Sequence, residues 1–144
     1  MSIEENKALA YRYYAEFNKQ TYLALFDEIC APDLVWHDAP PGTPPGLEGA
    51  KQAHTAFFTG FPDLHATVDD LIAEGDKVVV RATLRGTHQG EFMGIPPTGK
   101  EVTVRGIAIC RFVGGKEVEH WGIGDMLGLL QQLGAVPQMA QPGA

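Results

Sequence analysis

A chain of 144 residues has the length of one domain, enough to bury a core but not two independent ones. Its formal charge of −7 and its scattered lysines (Lys7, Lys19, Lys51, Lys77, Lys100, Lys116) argue against nucleic acid or an anionic membrane as the main partner. No stretch reaches transmembrane length and the N-terminus is acidic. Cys30 and Cys110 sit in apolar runs without CxxC spacing, so a cytoplasmic domain with reduced core thiols is expected.

The first part reads as helical. Ser2 with Glu5 three residues on forms a capping-box pattern, and Leu9, Tyr13 and Phe17 recur at helical spacing. A second helix is predicted from about Thr21 to Cys30, with Tyr22, Leu25, Phe26 and Ile29 as its apolar stripe and Pro32 ending it. Leu34 to Asp38 is a short strand. The run Ala39-Pro40-Pro41-Gly42-Thr43-Pro44-Pro45-Gly46 is a stiff loop, because proline lacks the amide donor that helix or sheet requires. A third helix follows from about Glu48 to Thr59, with Ala53, Ala56, Phe57 and Gly60 on its packed side. Strands are predicted near residues 64–74, 77–88, 100–113 and 117–125, joined by hairpin turns at Gly75-Asp76 and Gly114-Gly115. A short helix from Met126 to Gly134 closes a domain spanning 1–136, and a polar tail covers 137–144. Helices followed by antiparallel strands indicate an α+β fold, with the helices covering one face of a curved sheet around a pocket.

Strand alternation directs attention to three polar residues. Along residues 117–125 it places Trp121, Ile123 and Asp125 on one face and His120, Gly122 and Gly124 on the other. Asp125 then either lines an apolar pocket, where desolvation raises a carboxyl pKa toward general acid or base use, or caps the helix that begins at Met126. His88 ends the apolar row Val78, Val80, Ala82, Leu84 and Gly86, as a pocket imidazole or a hydrogen-bonded structural one. Alternation leaves open whether Trp36 or His37 faces inward. His54 and His65 read as packing or surface residues, and His120 as pointing away from the pocket. Histidine spacing gives no HxxxH or HxH, so no metal is expected. Convergence of His37, His88 and Asp125 would be the route to one. Arg81, Arg85, Arg105 and Arg111 share the opposite sheet face with Val79, Ile107 and Ile109, a mixture suited to a dimer or tetramer contact through the sheet.

Together, several motifs resemble the SnoaL-like polyketide cyclase (ester cyclase) family. They are Phe61-Pro62-Asp63-Leu64, Ala73 to Val78, Arg81, Gly86-Thr87-His88, Gly94 to Lys100, Arg111-Phe112, Gly115-Lys116, Trp121, and Asp125 through Gly134. The resemblance covers residues 5 to 136. It implies a cone-shaped α+β barrel, the fold shared with nuclear transport factor 2, scytalone dehydratase, ketosteroid isomerase and limonene epoxide hydrolase. It also implies aldol-type ring closure on a small hydrophobic carbonyl-containing substrate, with no cofactor or metal. Asp125 would be the acid/base, with His88 and His37 donating hydrogen bonds to the oxyanion. Trp36, Phe57, Phe92, Met93 and Trp121 would set the size of the substrate pocket. The family's cyclases are expected to carry a further histidine on the strand matching 101–113, where this chain has only Arg105 and Arg111 as basic side chains. Competing expectations are an epoxide hydrolase on the same fold, needing two carboxylates bridged by an arginine, and a non-catalytic small-ligand-binding or dimerisation module whose Asp125 is a satisfied helix cap.

Overall fold

The computed structural model describes residues 2–137, so the expected tail from 138 onward lies outside the described residues. Helix α1 (Ile3–Glu16) begins where predicted: the Ser2 hydroxyl accepts from the Glu5 amide at 3.1 Å, and the Glu5 carboxylate accepts from the Ser2 amide. This reciprocal pairing satisfies two of the donors that a helix start leaves free. Helix α2 (Tyr22–Ile29) buries Tyr22, Leu25, Phe26 and Ile29. It stops before Pro32, which falls inside strand β1 (Cys30–Trp36). The missing proline amide is tolerated there because β1 is an edge strand.

Helix α3 (Gly46–Gly60) buries Leu47, Ala50, Phe58 and, as predicted, Gly60; Ala53 and Phe57 are half-buried, and Ala56, predicted on the packed side, is exposed. Its first turn lies so close to the proline loop that a side chain at Gly49 would collide with the Pro44 carbonyl.

Strands β2 (His65–Glu74), β3 (Lys77–Thr87), β4 (Glu101–Val113) and β5 (Lys116–Gly124) form an antiparallel meander, and β1 pairs parallel with β5. The sheet order is β1-β5-β4-β3-β2 and the sheet is not closed. Helix α4 (Met126–Gln132) packs on β4. Four helices over a curved mixed sheet make the expected α+β cone. The row Val78, Val80, Ala82 on β3 and Val102, Ala108, Cys110, Phe112 on β4 faces the helices, as alternation predicts.

Strand β5 departs from simple alternation. The Gly114-Gly115 turn, with φ of 57° and 82°, suits a type I′ hairpin and starts the ladder at Val113–Lys116. Phe112 then pairs with Glu117, but Arg111 pairs with Glu119, so Val118 is an extra residue. This bulge shifts every later residue by one and swaps the faces. His120 lies opposite Cys110 and Gly122 opposite Ala108, both facing inward, while Trp121 and Ile123 pair with the outward Ile109 and Ile107. Ile123 is 77% exposed. The inward direction expected for Trp121 is therefore corrected.

Candidate active site

Between the helices and the concave face of the sheet lies a two-lobed cavity. An outer lobe of about 430 Å³ rests on small residues of three strands, among them Ala82, Gly106, Ala108 and Gly122. An inner lobe of about 180 Å³ is walled by Tyr13, Phe17, Phe26 and Leu34. Tyr14, Trp36, His54, Phe57 and His120 line both lobes. The walls are mainly apolar with a few polar groups, as in small-molecule sites.

Because of the bulge, Glu117 and His120 both project inward and meet. Glu117 is 5% exposed, and its Oε1 lies 2.7 Å from His120 Nδ1. With the carboxylate ionised, Nδ1–H donates to Oε1 and the other nitrogen, Nε2, holds a free lone pair; this tautomer is assigned from the hydrogen-bond network. Nε2 stands 3.0 Å from where a side chain on Gly122 would begin, so the absence of a side chain there keeps the ring edge open to the cavity.

Cys110 Sγ is 3.7 Å from His120 Nδ1, and Cys110, Glu117 and His120 bring their donor atoms within 4.8 Å of one another. Among the described residues, these three are the group whose donor atoms lie close enough to be weighed as metal ligands. Two ligands on a tetrahedral zinc ion keep about 3.4 Å between their donor atoms, given bond lengths near 2.1 Å. The 2.7 Å contact is instead that of a hydrogen-bonded pair. Burial and the neighbouring Glu117 push the Cys110 thiol well above its ordinary pKa, so it stays protonated.

Other polar groups also line the cavity. His54 Nδ1 donates to the Ala50 carbonyl at 2.7 Å, leaving Nε2 unprotonated. Burial, reinforced by the nearby His120 and opposed by that carbonyl, lowers its pKa to about 4 and keeps the ring neutral. Tyr14 has its pKa raised well above the ordinary value by burial, reinforced by the nearby Glu117, so its hydroxyl stays protonated. At the mouth, Asp38 accepts from the Gly122 amide at 2.9 Å and ties the end of β1 to β5.

Several predicted site residues lie elsewhere. Asp125 is exposed and caps α4, its Oδ1 accepting from the Gly128 amide at 2.8 Å; the adjacent Gly124 and Met126 line the cavity, but Asp125 does not. The strand ends at Gly124 and the cap bond holds the carboxylate at the start of α4, so of the two readings the capping one describes its position and the expected burial is corrected.

His88 is fully buried outside the cavity lining, its Nδ1 accepting from the Thr98 amide at 3.2 Å and its ring against Phe61. It anchors the excursion between β3 and β4 in place of facing a ligand. His37 is on the outer face, stacked on Trp121 at 4.6 Å and bonded to Glu119 at 2.7 Å. Trp121 is thereby also removed from the cavity. Met93 is 67% exposed, and Phe92 is packed between Phe57 and Phe61. Trp36 and Phe57, in contrast, do line the cavity. The convergence of His37, His88 and Asp125 does not occur, since each bonds within different surroundings.

Sequence reasoning gives Glu117 and Tyr14 no site role, reads His54 as a packing or surface residue, and turns His120 away from the pocket; the bulge in β5 corrects that last expectation. The one local signal was the Glu-x-x-His spacing of 117 and 120, which brings the two onto one face only across a bulge.

The family model for SnoaL-like polyketide cyclases matches residues 8–133. The chain belongs to this family. SnoaL-like structures align over nearly the whole chain. AclR from Streptomyces galilaeus, described as a provisional hydroxylase, is 36% identical, with 97% of this chain and 87% of that chain covered at a TM-score of 0.83. IdmH from Streptomyces antibioticus, described as a provisional polyketide cyclase, is 37% identical over 93% and 99% of the two chains at 0.75. A SnoaL-like protein from Jannaschia sp. CCS1 is 27% identical over 95% and 97% at 0.83. Comparison with the curated proteins found no match. Membership supports a cyclase- or isomerase-type role.

Proposed function

We propose that the cavity performs acid/base chemistry beside a carbonyl, either aldol-type cyclisation of a polyketide-like ester or a related isomerisation, with His120 as the proton-transfer group. The observation that carries this reading is the 2.7 Å contact between buried Glu117 and His120 Nδ1, with Nε2 turned over Gly122 into the cavity. His120 Nε2 takes a proton from a carbon flanked by carbonyls, and the electron pair of that C–H bond becomes an enolate. Proton transfer by a positioned base of this kind contributes roughly 10²–10⁴-fold, and Glu117 balances the imidazolium that forms. The Tyr14 hydroxyl, kept protonated, donates to the enolate oxygen. In cyclisation the enolate carbon bonds to a second carbonyl carbon, and the resulting alkoxide recovers the proton from Nε2. Holding both carbonyls in one closed space is worth up to about 7–11 kcal/mol of the barrier.

The test is deuterium exchange at the carbon next to the carbonyl of 2-tetralone, followed by NMR. His120→Phe is expected to remove the acceleration over buffer, and Glu117→Gln to reduce it, with both proteins folded. Equal acceleration by His120→Phe would refute the role of His120.

A second reading keeps Asp125 as the acid/base, favoured by the family resemblance and by the fact that its neighbours Gly124 and Met126 rim the cavity. Loss of exchange in Asp125→Asn alone supports that reading. The epoxide-hydrolase alternative loses ground because, among the described residues, no arginine lines either lobe. We also propose association of two copies through the outer sheet face, where Ile72, Ile107, Ile109 and Ile123 are exposed. Ile123→Glu should shift the mass measured by light scattering toward the monomer.

A further inference from the structure

We propose that His54 makes the cavity selective for a hydroxyl donor, so that the ligand class is a hydroxylated aromatic or enolic carbonyl compound. This deepens the reading above and rests on its premise of a small carbonyl-bearing ligand in the cavity, but not on proton transfer by His120.

His54 lies four residues after Ala50 on α3, and its Nδ1–H is committed to that residue's carbonyl at 2.7 Å. The bond fixes the tautomer, so Nε2 can only accept. Three aromatic rings hold the imidazole in place. Phe26 meets it edge-on at 4.9 Å, Phe17 edge-on at 5.9 Å, and Trp36 lies tilted at 5.3 Å. Nε2 has no hydrogen-bond partner among the described residues, and the residue lines both lobes. Burial also keeps the ring from gaining a proton that would turn it into a donor.

A ligand carbonyl or ether oxygen placed there would set lone pair against lone pair, whereas a hydroxyl supplies the missing proton. Trp36 beside it offers a flat wall for the ring that carries this hydroxyl. Sites that hydrogen-bond a substrate hydroxyl reject analogues lacking it, because a buried acceptor is then left unpaired. One such bond corresponds to about 10- to 100-fold in affinity.

The test is calorimetric binding of 2-naphthol and 2-methoxynaphthalene at neutral pH to the wild-type chain, His54→Phe and His120→Phe. The wild type is expected to bind 2-naphthol at least about 10-fold more tightly than the methyl ether. His54→Phe keeps the ring packing and should bring the ratio close to 1, while leaving the affinity for the ether within about 3-fold. His120→Phe should keep the preference. An unchanged ratio in His54→Phe overturns the proposal, as do equal affinities in the wild type or no binding of either probe. A preference lost in His120→Phe but kept in His54→Phe also overturns it, by placing the hydroxyl on the Glu117–His120 pair. No turnover is measured, so failure of His120 as a base, read by deuterium exchange, is a separate result.

Discussion

Acid should destabilise this protein in part through His54. Its folded pKa is lowered to about 4 by burial, against about 6.5 for a free imidazole. Between those values the unfolded chain holds a proton that the folded chain does not, so stability rises with pH there and is lost as pH falls. Integrating the linkage from pH 7 to pH 4.5 gives about 2.5 kcal/mol from this one group. That figure is an upper limit, because the ring faces a cavity that water can enter. With a urea dependence of about 2 kcal/mol per molar, the midpoint should fall by up to about 1 M from His54 alone. His54→Phe removes this contribution and keeps a ring packed among Phe17, Phe26 and Trp36. Urea titrations by circular dichroism, on both proteins at pH 7 and pH 4.5, isolate it as a difference of differences. Carboxylates with lowered pKa values, such as Asp63 bonded by Thr87 and Glu119 bonded by His37 and Arg111, also cost stability in acid, but equally in both chains. Parallel acid sensitivity in the two proteins would refute the reasoning, because it would mean the imidazole is protonated as easily folded as unfolded.

Other perturbations separate the cavity from its frame. Gly122→Ala sets a methyl 3.0 Å from His120 Nε2 and 3.6 Å from the Ala108 methyl, so exchange of 2-tetralone should slow at least about 10-fold while the thermal midpoint moves by only a few degrees. Asp125→Ala should cost about 1 kcal/mol in urea denaturation through loss of the α4 cap, and Asp125→Asn much less, because asparagine caps as well as aspartate. His88→Leu removes the acceptor of the Thr98 amide together with a buried Nε2 that has no partner, so it should cost no more than about 1 kcal/mol of stability, with exchange per folded molecule unchanged by NMR.

Most of the frame could be read from residue pattern. The capping box of α1, the glycine turns and the alternation of β3 and β4 are local features, and local physical chemistry decides them. The inward side of β5 could not be read in this way. Counting strictly from the Gly114-Gly115 turn sets Glu117 opposite Phe112, Val118 opposite Arg111 and Glu119 opposite Cys110. It then pairs His120 with the outward Ile109 and Trp121 with the inward Ala108. That count agrees with hydrophobicity, since it buries a tryptophan and an isoleucine. The observed ladder inserts Val118 as an unpaired residue, and a bulge of this kind needs no glycine to mark it. The consequence is functional. With the extra residue, the buried Glu117 and His120 point the same way at a separation of three, and Trp121 moves outside to stack on His37. The outer sheet face is apolar enough to be mistaken for an inner one, with Ile107 54% exposed beside Ile123. Meanwhile the inner face at this end is glycine and alanine, because the space above it belongs to the cavity rather than to side chains. Hydrophobicity therefore points the wrong way where a sheet encloses a void on one side and carries an apolar surface on the other.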